Sequence, residues 1–240
     1  MTTMFTVEAA SRTHVGQVRR RNEDAFYQGH RLYVVADGLG GHVAGDIAST
    51  TAVDAMKPYD RLVRSTDLAD VLGRAISEAH EALRRRIRRE PELAGMGTTM
   101  VAVLRSDDAA VVANIGDSRA YLMRSSTTDD RPLVQITEDH TYRHLVAEAN
   151  QVASLPEKLA RFLDGRKDGR SPDLTVVKLK PGDRVLLCSD GLSSYVPEEL
   201  IRSIVDSASS VERTADDLVQ AALDHGGRDN VTVMMLDIGG

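Results

Sequence analysis

The chain has 240 residues, of which 42% are hydrophobic and 28% charged, a composition typical of a soluble globular domain. Its net charge of −6 argues against a protein that works mainly by neutralising nucleic-acid phosphates. The single cysteine, Cys188, excludes an intrachain disulfide and a thiolate metal cage. Residues 1–21 lack the apolar core of a signal peptide, and no apolar stretch approaches the ~18 residues of a membrane span. We therefore expect a soluble, cytoplasmic, single-domain protein with no nucleic-acid or membrane partner.

Apolar runs and amphipathic segments alternate along the chain. In chain order they predict a strand at 32–36, helices at 46–56 and 67–90, strands at 98–104, 109–115, 120–124, 133–136, 175–179 and 184–189, helices at 197–205 and 211–223, and a strand at 231–237. Short polar links at 107–108 and 125–132 predict antiparallel neighbours, and 164–171 is expected to be a flexible loop. Because strands come in runs with helices between the runs, the order favours an α+β fold of antiparallel sheets flanked by helices.

Four aspartates fall at the ends of predicted buried strands. Asp37, Asp117 and Asp190 each come just after a strand, and Asp229 precedes the last one. An Asp-Gly pair taken alone is typical of a turn. Four acids at one rim, however, would repel one another unless a cation or hydrogen bonds neutralised them. With no cysteine cluster and no spaced histidine pair, oxygen ligands for Mg²⁺ or Mn²⁺ are the expected chemistry, and two such ions are the usual apparatus of phosphoester hydrolysis.

Competing motifs are incomplete in this sequence. The segment from Asp37 to Gly45 follows a strand and precedes a helix, but the third glycine of a dinucleotide-binding GxGxxG would fall on Val43. The sequence contains no Gly-Lys pair for a Walker A loop, no HExxH and no GxSxG. The arginines at 84–89 are interpreted as a solvated helix face. The triplet at 19–21 directly precedes acids, so an arginine there is a candidate phosphate clamp.

Six ordered blocks of sequence carry a resemblance to a known family. They are GQVRRRNED from Gly16, DGLGGH from Asp37, GMGTT from Gly95, GDSR from Gly116, CSDGL from Cys188 and GRDNVT from Gly227. Together they span residues 16–232 and closely resemble the metal-dependent protein serine/threonine phosphatases of the type 2C class, in their compact bacterial form. The resemblance implies two packed antiparallel β-sheets flanked by helix pairs, an αββα sandwich.

The resemblance also implies an activity and its partners. It implies hydrolysis of phosphoserine and phosphothreonine in proteins by a metal-activated water, at a site of two or three Mn²⁺ or Mg²⁺ ions, two of which are core ions. The expected partners are phosphorylated proteins, including serine/threonine kinases or their substrates. Two alternatives stay open: a phosphatase whose target is a phosphorylated regulator of a sigma-factor pathway, and a non-catalytic binding module on the same fold.

Carried over residue by residue, the resemblance assigns a metal site. Asp37 would bridge the two core ions, and the Gly38 carbonyl would bind one of them. Asp190 and Asp229 would complete the shell of the second ion. Asp117, together with Asp190, would hold a third, weaker ion.

Further roles follow from the same resemblance. Arg19 would bind phosphate, and Glu23 and Asp24 would act mostly through bound water. His42 is either the general acid or a polar residue that orders the glycine-rich turn.

The resemblance implies that residues 1–240 form one catalytic domain, with a short flap at about residues 140–170. The sequence TEDHT from Thr137 matches the start of that flap. Beyond it the chain departs from the family pattern. The segment 150–165 is shorter than the corresponding segment of bacterial family members and lacks their usual His-Pro sequence.

Overall fold

The structure, a computed structural model, describes residues 6–39, 44–107, 109–126, 131–142, 158–166, 171–207 and 210–240. The strands are β1 (Thr6–His14), β2 (Asp24–Gln28), β3 (Leu32–Leu39), β4 (Gly97–Thr98), β5 (Met100–Arg105), β6 (Ala110–Ile115), β7 (Arg119–Met123), β8 (Leu133–Gln135), β9 (Asp173–Val177), β10 (Arg184–Cys188) and β11 (Val231–Gly239). The helices are α1 (Gly45–Met56), α2 (Leu68–Arg89), α3 (Asp190–Ser193), α4 (Glu198–Asp206) and α5 (Val211–Asp224).

These strands form two antiparallel sheets. Sheet A has the order β1-β11-β10-β7-β8, and sheet B has the order β2-β3-β5-β6-β9, with β4 also paired to β3. The connection from β6 to β7 crosses from sheet B to sheet A. Every pairing within the two sheets is antiparallel.

The alternation of side chains along β3 shows how the layers are built. Leu32 and Val34 face a core shared with α1 and α2, whereas Tyr33 and Val35 face the core between the sheets. A third core lies between sheet A and the helices α3, α4 and α5. The order of layers is therefore helices, sheet B, sheet A, helices. The predicted fold class, an αββα sandwich, is confirmed.

Helix α2 shows why the sequence pattern was informative. Its buried residues repeat at helical spacing and pack against sheet B; they are Leu68, Val71, Leu72, Ala75, Ile76, Ala79 and Leu83. The opposite face carries ion pairs such as Arg85–Glu78 at 2.7 Å and Arg86–Glu90 at 2.9 Å. The arginine-rich stretch is thus a solvated helix face, as predicted.

Some elements differ from the sequence prediction. Strands β1 and β2 were not predicted, because both are sheet edges with mostly half-exposed side chains and no continuous apolar run. The predicted strand 98–104 is interrupted at Thr99, whose N–H donates to the Asp37 carbonyl at 2.9 Å. Strand β9 spans Asp173–Val177 rather than 175–179. Asp108, in one predicted hairpin link, lies outside the described residues, as does part of the 125–132 link.

Among the residues that the structure describes, no helix combines the length and apolar character needed to span a membrane.

Candidate active site

The strand ends that carry the predicted acids meet at one end of the sandwich. There they border a pocket of about 390 Å³, lined by Arg19, Glu23, Asp37, Gly38, Leu39, Asp117, Lys158, Leu159, Asp190, Asp229 and Asn230. A larger groove of about 580 Å³ lies on α1 and α2, but its described lining contains one carboxylate, Glu78. We take the smaller pocket as the candidate active site because acids from both sheets converge on it.

Asp37 lies near the end of β3 and is held there by hydrogen bonds to its backbone N–H and carbonyl. Its N–H donates to the Thr99 hydroxyl at 3.1 Å, and its carbonyl accepts from the Thr98 hydroxyl at 2.8 Å and from the Thr99 N–H at 2.9 Å. The next residue, Gly38, donates its N–H to the Glu23 carbonyl at 3.1 Å. A side chain at position 38 would collide with the Gly45 carbonyl, so only glycine permits this close approach of backbones.

Asp190 and Asp229 are brought together by the pairing of β10 with β11. Asp190 follows β10 and begins α3, while Asp229 lies two residues before β11. The Asp190 side chain lies close enough to Asp37 for its charge to raise the pKa of Asp37, and its Oδ1 is buried without a hydrogen-bond partner. Asp229 Oδ2 accepts from Arg19 Nη2 at 2.6 Å. The acid pair therefore extends from sheet A towards Asp37 of sheet B.

Asp24 lies beneath these residues, opposite Asp37 in the β2–β3 register. Its Oδ2 accepts from the Ser189 hydroxyl at 2.9 Å and from the Thr232 hydroxyl at 2.6 Å. Its Oδ1 is buried and has no hydrogen-bond partner. The carboxylate thus links both sheets while one oxygen stays available to a bound group.

Asp117 occupies the turn that crosses between the sheets. The preceding Gly116 has φ +120°, and a Cβ there would lie 2.5 Å from Thr99 Cβ, so the turn fits tightly against the β4–β5 junction. The neighbouring Ser118 hydroxyl is hydrogen-bonded to that of Thr99 at 2.7 Å. The position of Asp117 is therefore tied to the backbone that also holds Asp37.

The acids shift one another's protonation. Burial, and then the charges of Asp24 and Asp190, raise the pKa of Asp37 well above its usual value. Burial and the Asp190 charge raise the pKa of Asp117 to about 7. Burial likewise raises the pKa of Asp24 to about 7, against hydrogen bonds from Thr232 and Ser189. The site concentrates more negative charge than Arg19 can offset.

The donor set fits a hard divalent cation. The groups that line the pocket offer carboxylate and carbonyl oxygens, and two of the buried carboxylate oxygens lack partners. In the described part of the chain, no group of three or more His, Cys, Asp or Glu side chains is already arranged to hold a metal ion. The fit therefore rests on the chemistry of the donors and on the charge that a cation would neutralise.

The pocket brings together most of the predicted site residues. Asp37, Gly38, Asp117, Asp190, Asp229, Arg19 and Glu23 all line the pocket, and Asp24 lies directly beneath it. His42 lies outside the described residues, as does flap segment 143–157. Cys188 is buried in β10, where burial raises the pKa of its thiol to about 12, in keeping with an inert core residue.

Sequence reasoning missed residues that act through the backbone. Asn230 Nδ2 donates to the Val15 carbonyl at 2.9 Å and the Arg21 carbonyl at 2.8 Å, which fixes the arginine-bearing loop. Thr98 and Thr99 hold the backbone N–H and carbonyl of Asp37. Asn230, Thr98 and Thr99 all lie within the sequence blocks that resemble the family, and this was the only sign in the sequence that they matter to the site. Their roles depend on partners more than 60 residues away in the chain, which no local pattern reveals.

Comparisons with known proteins agree with this geometry. A family model described as Protein phosphatase 2C matches residues 11–225. The serine/threonine protein phosphatase PstP of Mycobacterium tuberculosis is 38% identical over 236 residues, covering 95% of this chain but 44% of that protein. The serine/threonine phosphatase stp of Listeria welshimeri is 35% identical over 247 residues, covering 96% of each chain.

Solved structures give the same result. The catalytic domain of PstP, solved in complex with two manganese ions, matches with a TM-score of 0.88 and 38% identity, covering 98% of this chain and 100% of that one. The phosphatase MsPP of Mycobacterium smegmatis, in complex with cacodylate, matches with a TM-score of 0.82 and 31% identity, covering 98% of this chain and 100% of that one. Since the family model extends over most of the residues that build the sandwich and its acid-lined pocket, the chain belongs to the protein phosphatase 2C family.

Proposed function

We propose that this chain is a metal-dependent protein serine/threonine phosphatase. It would hydrolyse phosphoserine and phosphothreonine in proteins at a site of two Mn²⁺ or Mg²⁺ ions, with a third ion bound more weakly. The observation that carries this proposal is the convergence of Asp37, Asp190 and Asp229 in one pocket, where Asp190 Oδ1 is buried and unpartnered. The manganese ions in the related PstP structure support the choice of metal.

The ligands of the proposed site come from both sheets. They are Asp37 and the Gly38 carbonyl from β3, Asp117 from the β6–β7 turn, Asp190 from the end of β10 and Asp229 from the segment before β11. When bound, the ions supply an activated water at neutral pH and neutralise phosphoryl charge. Glu23 and Asp24 would orient bound water around them. A module without catalysis would tolerate loss of one of these acids, and the chain retains all of them.

Arg19 is the proposed phosphate ligand. Its guanidinium reaches Asp229 at 2.6 Å, and its side chain is 55% exposed, so it can also meet a substrate that enters the pocket. The planar guanidinium matches two phosphoryl oxygens and would fix the orientation of the phosphate as the bond to the leaving oxygen lengthens. Arg19 would therefore both position substrate and balance the charge of Asp229.

The finer parts of the proposal concern context. We propose that residues 1–240 act as one catalytic domain, that its substrates include serine/threonine kinases or proteins phosphorylated by them, and that it works in the cytoplasm. The net charge of −6 supports protein substrates over nucleic acid.

The direct test is phosphate release from phosphoserine and phosphothreonine peptides by the purified chain. We expect activity to disappear after treatment with a chelator and to return with Mn²⁺. Asp37→Asn should abolish turnover, whereas the control Asp216→Asn, an exposed carboxylate on α5 paired with Arg12, should leave it unchanged. Turnover that survives both chelation and Asp37→Asn would contradict the proposal.

A further inference from the structure

His140 occupies a junction that the proposed chemistry does not use. Its side chain is fully buried. The ring Nδ1 accepts the Gly116 N–H at 3.2 Å, and the His140 N–H donates to the Gly116 carbonyl at 2.9 Å. This reciprocal pair of hydrogen bonds holds the residue directly before Asp117. The imidazole therefore fixes the turn that carries one of the proposed acids.

The other ring nitrogen connects to Asp173, at the start of β9. Because Nδ1 accepts, the proton of the neutral ring lies on Nε2, which donates to Asp173 Oδ2 at 2.9 Å. Asp173 in turn accepts two hydrogen bonds from Arg161, from Nη1 to Oδ1 at 2.9 Å and from Nη2 to Oδ2 at 3.2 Å. The ring thus joins Gly116 to the segment that contains Arg161.

That segment forms part of the rim of the pocket. The His140 carbonyl accepts the Ala160 N–H at 2.7 Å, and Thr141 forms a β-bridge with Leu159. Leu159 and Lys158 line the pocket, so this segment carries a cation to the border of the site.

We propose that His140 is a positioning residue that couples this rim to Asp117. The route runs from the segment 158–161 through Asp173 and the His140 ring to Gly116. A substrate chain that contacts the rim would thereby favour the position of Asp117 that binds its ion, and ion binding would favour that substrate contact in return. The metal part of this inference rests on the proposed function.

Three variants separate the two sides of the ring. His140→Ala removes both contacts. His140→Asn places a side-chain oxygen near the position of Nδ1, so it can still accept the Gly116 N–H but does not reach Asp173. Arg161→Gln weakens the hold on Asp173 from the rim. His80→Ala is the matched control, because the His80 ring binds the Arg166 carbonyl at 2.7 Å on the same segment without touching Gly116.

The first readout needs no metal. Amide hydrogen exchange of Gly116 in the metal-free protein should accelerate in His140→Ala and should return towards the wild-type rate in His140→Asn. The control His80→Ala should leave it unchanged. A Gly116 amide that exchanges at the wild-type rate in His140→Ala would overturn the proposal. So would a general acceleration across both sheets, which is the result of a purely structural role.

The second readout is calorimetric titration with Mn²⁺. We expect His140→Ala to weaken the lower-affinity ion about 10-fold, with the tight ions unchanged. Arg161→Gln should weaken the same ion in the wild-type background but not in the His140→Asn background, because the route is already broken there. Additive effects of the two changes would overturn the coupling. If the wild-type chain bound no Mn²⁺ and cleaved no phosphopeptide, the proposed function would fail, while Gly116 exchange would still decide the role of His140.

Discussion

Asn230 Oδ1 accepts the N–H of Glu23 at 2.8 Å, although the two residues are 207 positions apart in the chain. The Asn230 Nδ2 group binds the carbonyls on either side of the arginine-bearing loop. One buried amide side chain therefore closes a loop that carries Arg19 onto the turn that carries Asp229. Together with the bond from the Gln17 N–H to the Gly227 carbonyl at 2.6 Å, this side chain holds a proposed phosphate ligand close to a proposed metal ligand.

Replacement of Asn230 should lower the stability of the fold. Asn230→Ala leaves one N–H and two carbonyls without their partner, so we expect the free energy of unfolding to fall by about 2–3 kcal/mol. Urea denaturation measures this loss. The control Gln220→Ala removes an exposed hydrogen bond to Asp224 on α5 and should change stability by less than about 0.5 kcal/mol. Equal losses in the two variants would contradict the role of Asn230.

Removal of a core acid should abolish turnover while the fold is kept. Asp190→Asn or Asp229→Asn deletes one anionic oxygen donor, so we expect phosphopeptide hydrolysis to fall more than about 100-fold and Mn²⁺ affinity to drop. The folded state should persist, because the lost charge also relieves repulsion among the acids. Near-normal turnover in either variant, measured at saturating Mn²⁺, would reject the metal assignment.

Asp117 should behave differently from the core acids. If it holds a weaker third ion, Asp117→Ala should retain two tightly bound ions while turnover decreases. Calorimetry with Mn²⁺, or anomalous diffraction from crystals of the variant, counts the ions directly. Loss of all bound metal would show that Asp117 belongs to the core pair.

Asp60 lies away from the candidate site, and we expect its carboxylate to stabilise the fold. Its carboxylate accepts the N–H groups of His30, Arg31 and Leu32 at 3.0, 2.6 and 3.0 Å, and the Tyr27 hydroxyl at 3.0 Å. We expect Asp60→Ala to lower the free energy of unfolding by about 2–3 kcal/mol, since the β2–β3 turn loses its shared acceptor. Chemical denaturation at pH 7 measures the loss.

The same carboxylate has a defined pH signature. Partial burial would raise the pKa of Asp60, but the N–H donors and the tyrosine hydroxyl outweigh burial and lower it. A depressed pKa contributes stability that is present above the unfolded value of about 4 and is lost as the pH falls through the folded value. The stability difference between wild type and Asp60→Asn should therefore shrink below about pH 4. A difference that stays constant down to pH 3 would contradict this prediction.

The two interpretations of His42 predict different substrate dependence. A serine alkoxide needs a proton as it leaves, whereas a nitrophenolate needs almost none. If His42 is the general acid, the variant His42→Ala should slow phosphopeptide hydrolysis about 10²–10⁴-fold more than it slows p-nitrophenyl phosphate hydrolysis. As a residue that orders the turn, it would slow both substrates alike and weaken Mn²⁺ binding. The ratio of the two kcat effects at saturating Mn²⁺ distinguishes them.

The buried strands and the long helix were predictable because their patterns are local. Val34 and Val35 stand in an apolar run that only a strand covered on both faces can bury, and α2 repeats its apolar residues at helical spacing. Strand β1 carries no such run; its place depends on pairing with β11 at the far end of the chain. Long-range pairing of polar segments has no signature within a short window.

The acids were predictable for a different reason. Asp37 and Asp190 follow apolar strands directly, so their positions at strand ends could be inferred from sequence. The contacts that hold them could not be inferred, because Thr99 and Asn230 act through backbone atoms of distant segments. His140 was recognised as part of a motif, but the direction of its ring hydrogen bonds depends on where the β6–β7 turn lies.

The proposed ligands divide between the two sheets, with Asp37 on sheet B and Asp190 and Asp229 next to the ends of β10 and β11 in sheet A. Cations bound between these ligands would link the two sheets of the sandwich. Binding to the folded state alone raises its stability with the logarithm of ligand concentration. The melting temperature of this chain should therefore rise with Mn²⁺, and a shortage of the metal would leave a larger share of the chain unfolded and open to proteolysis.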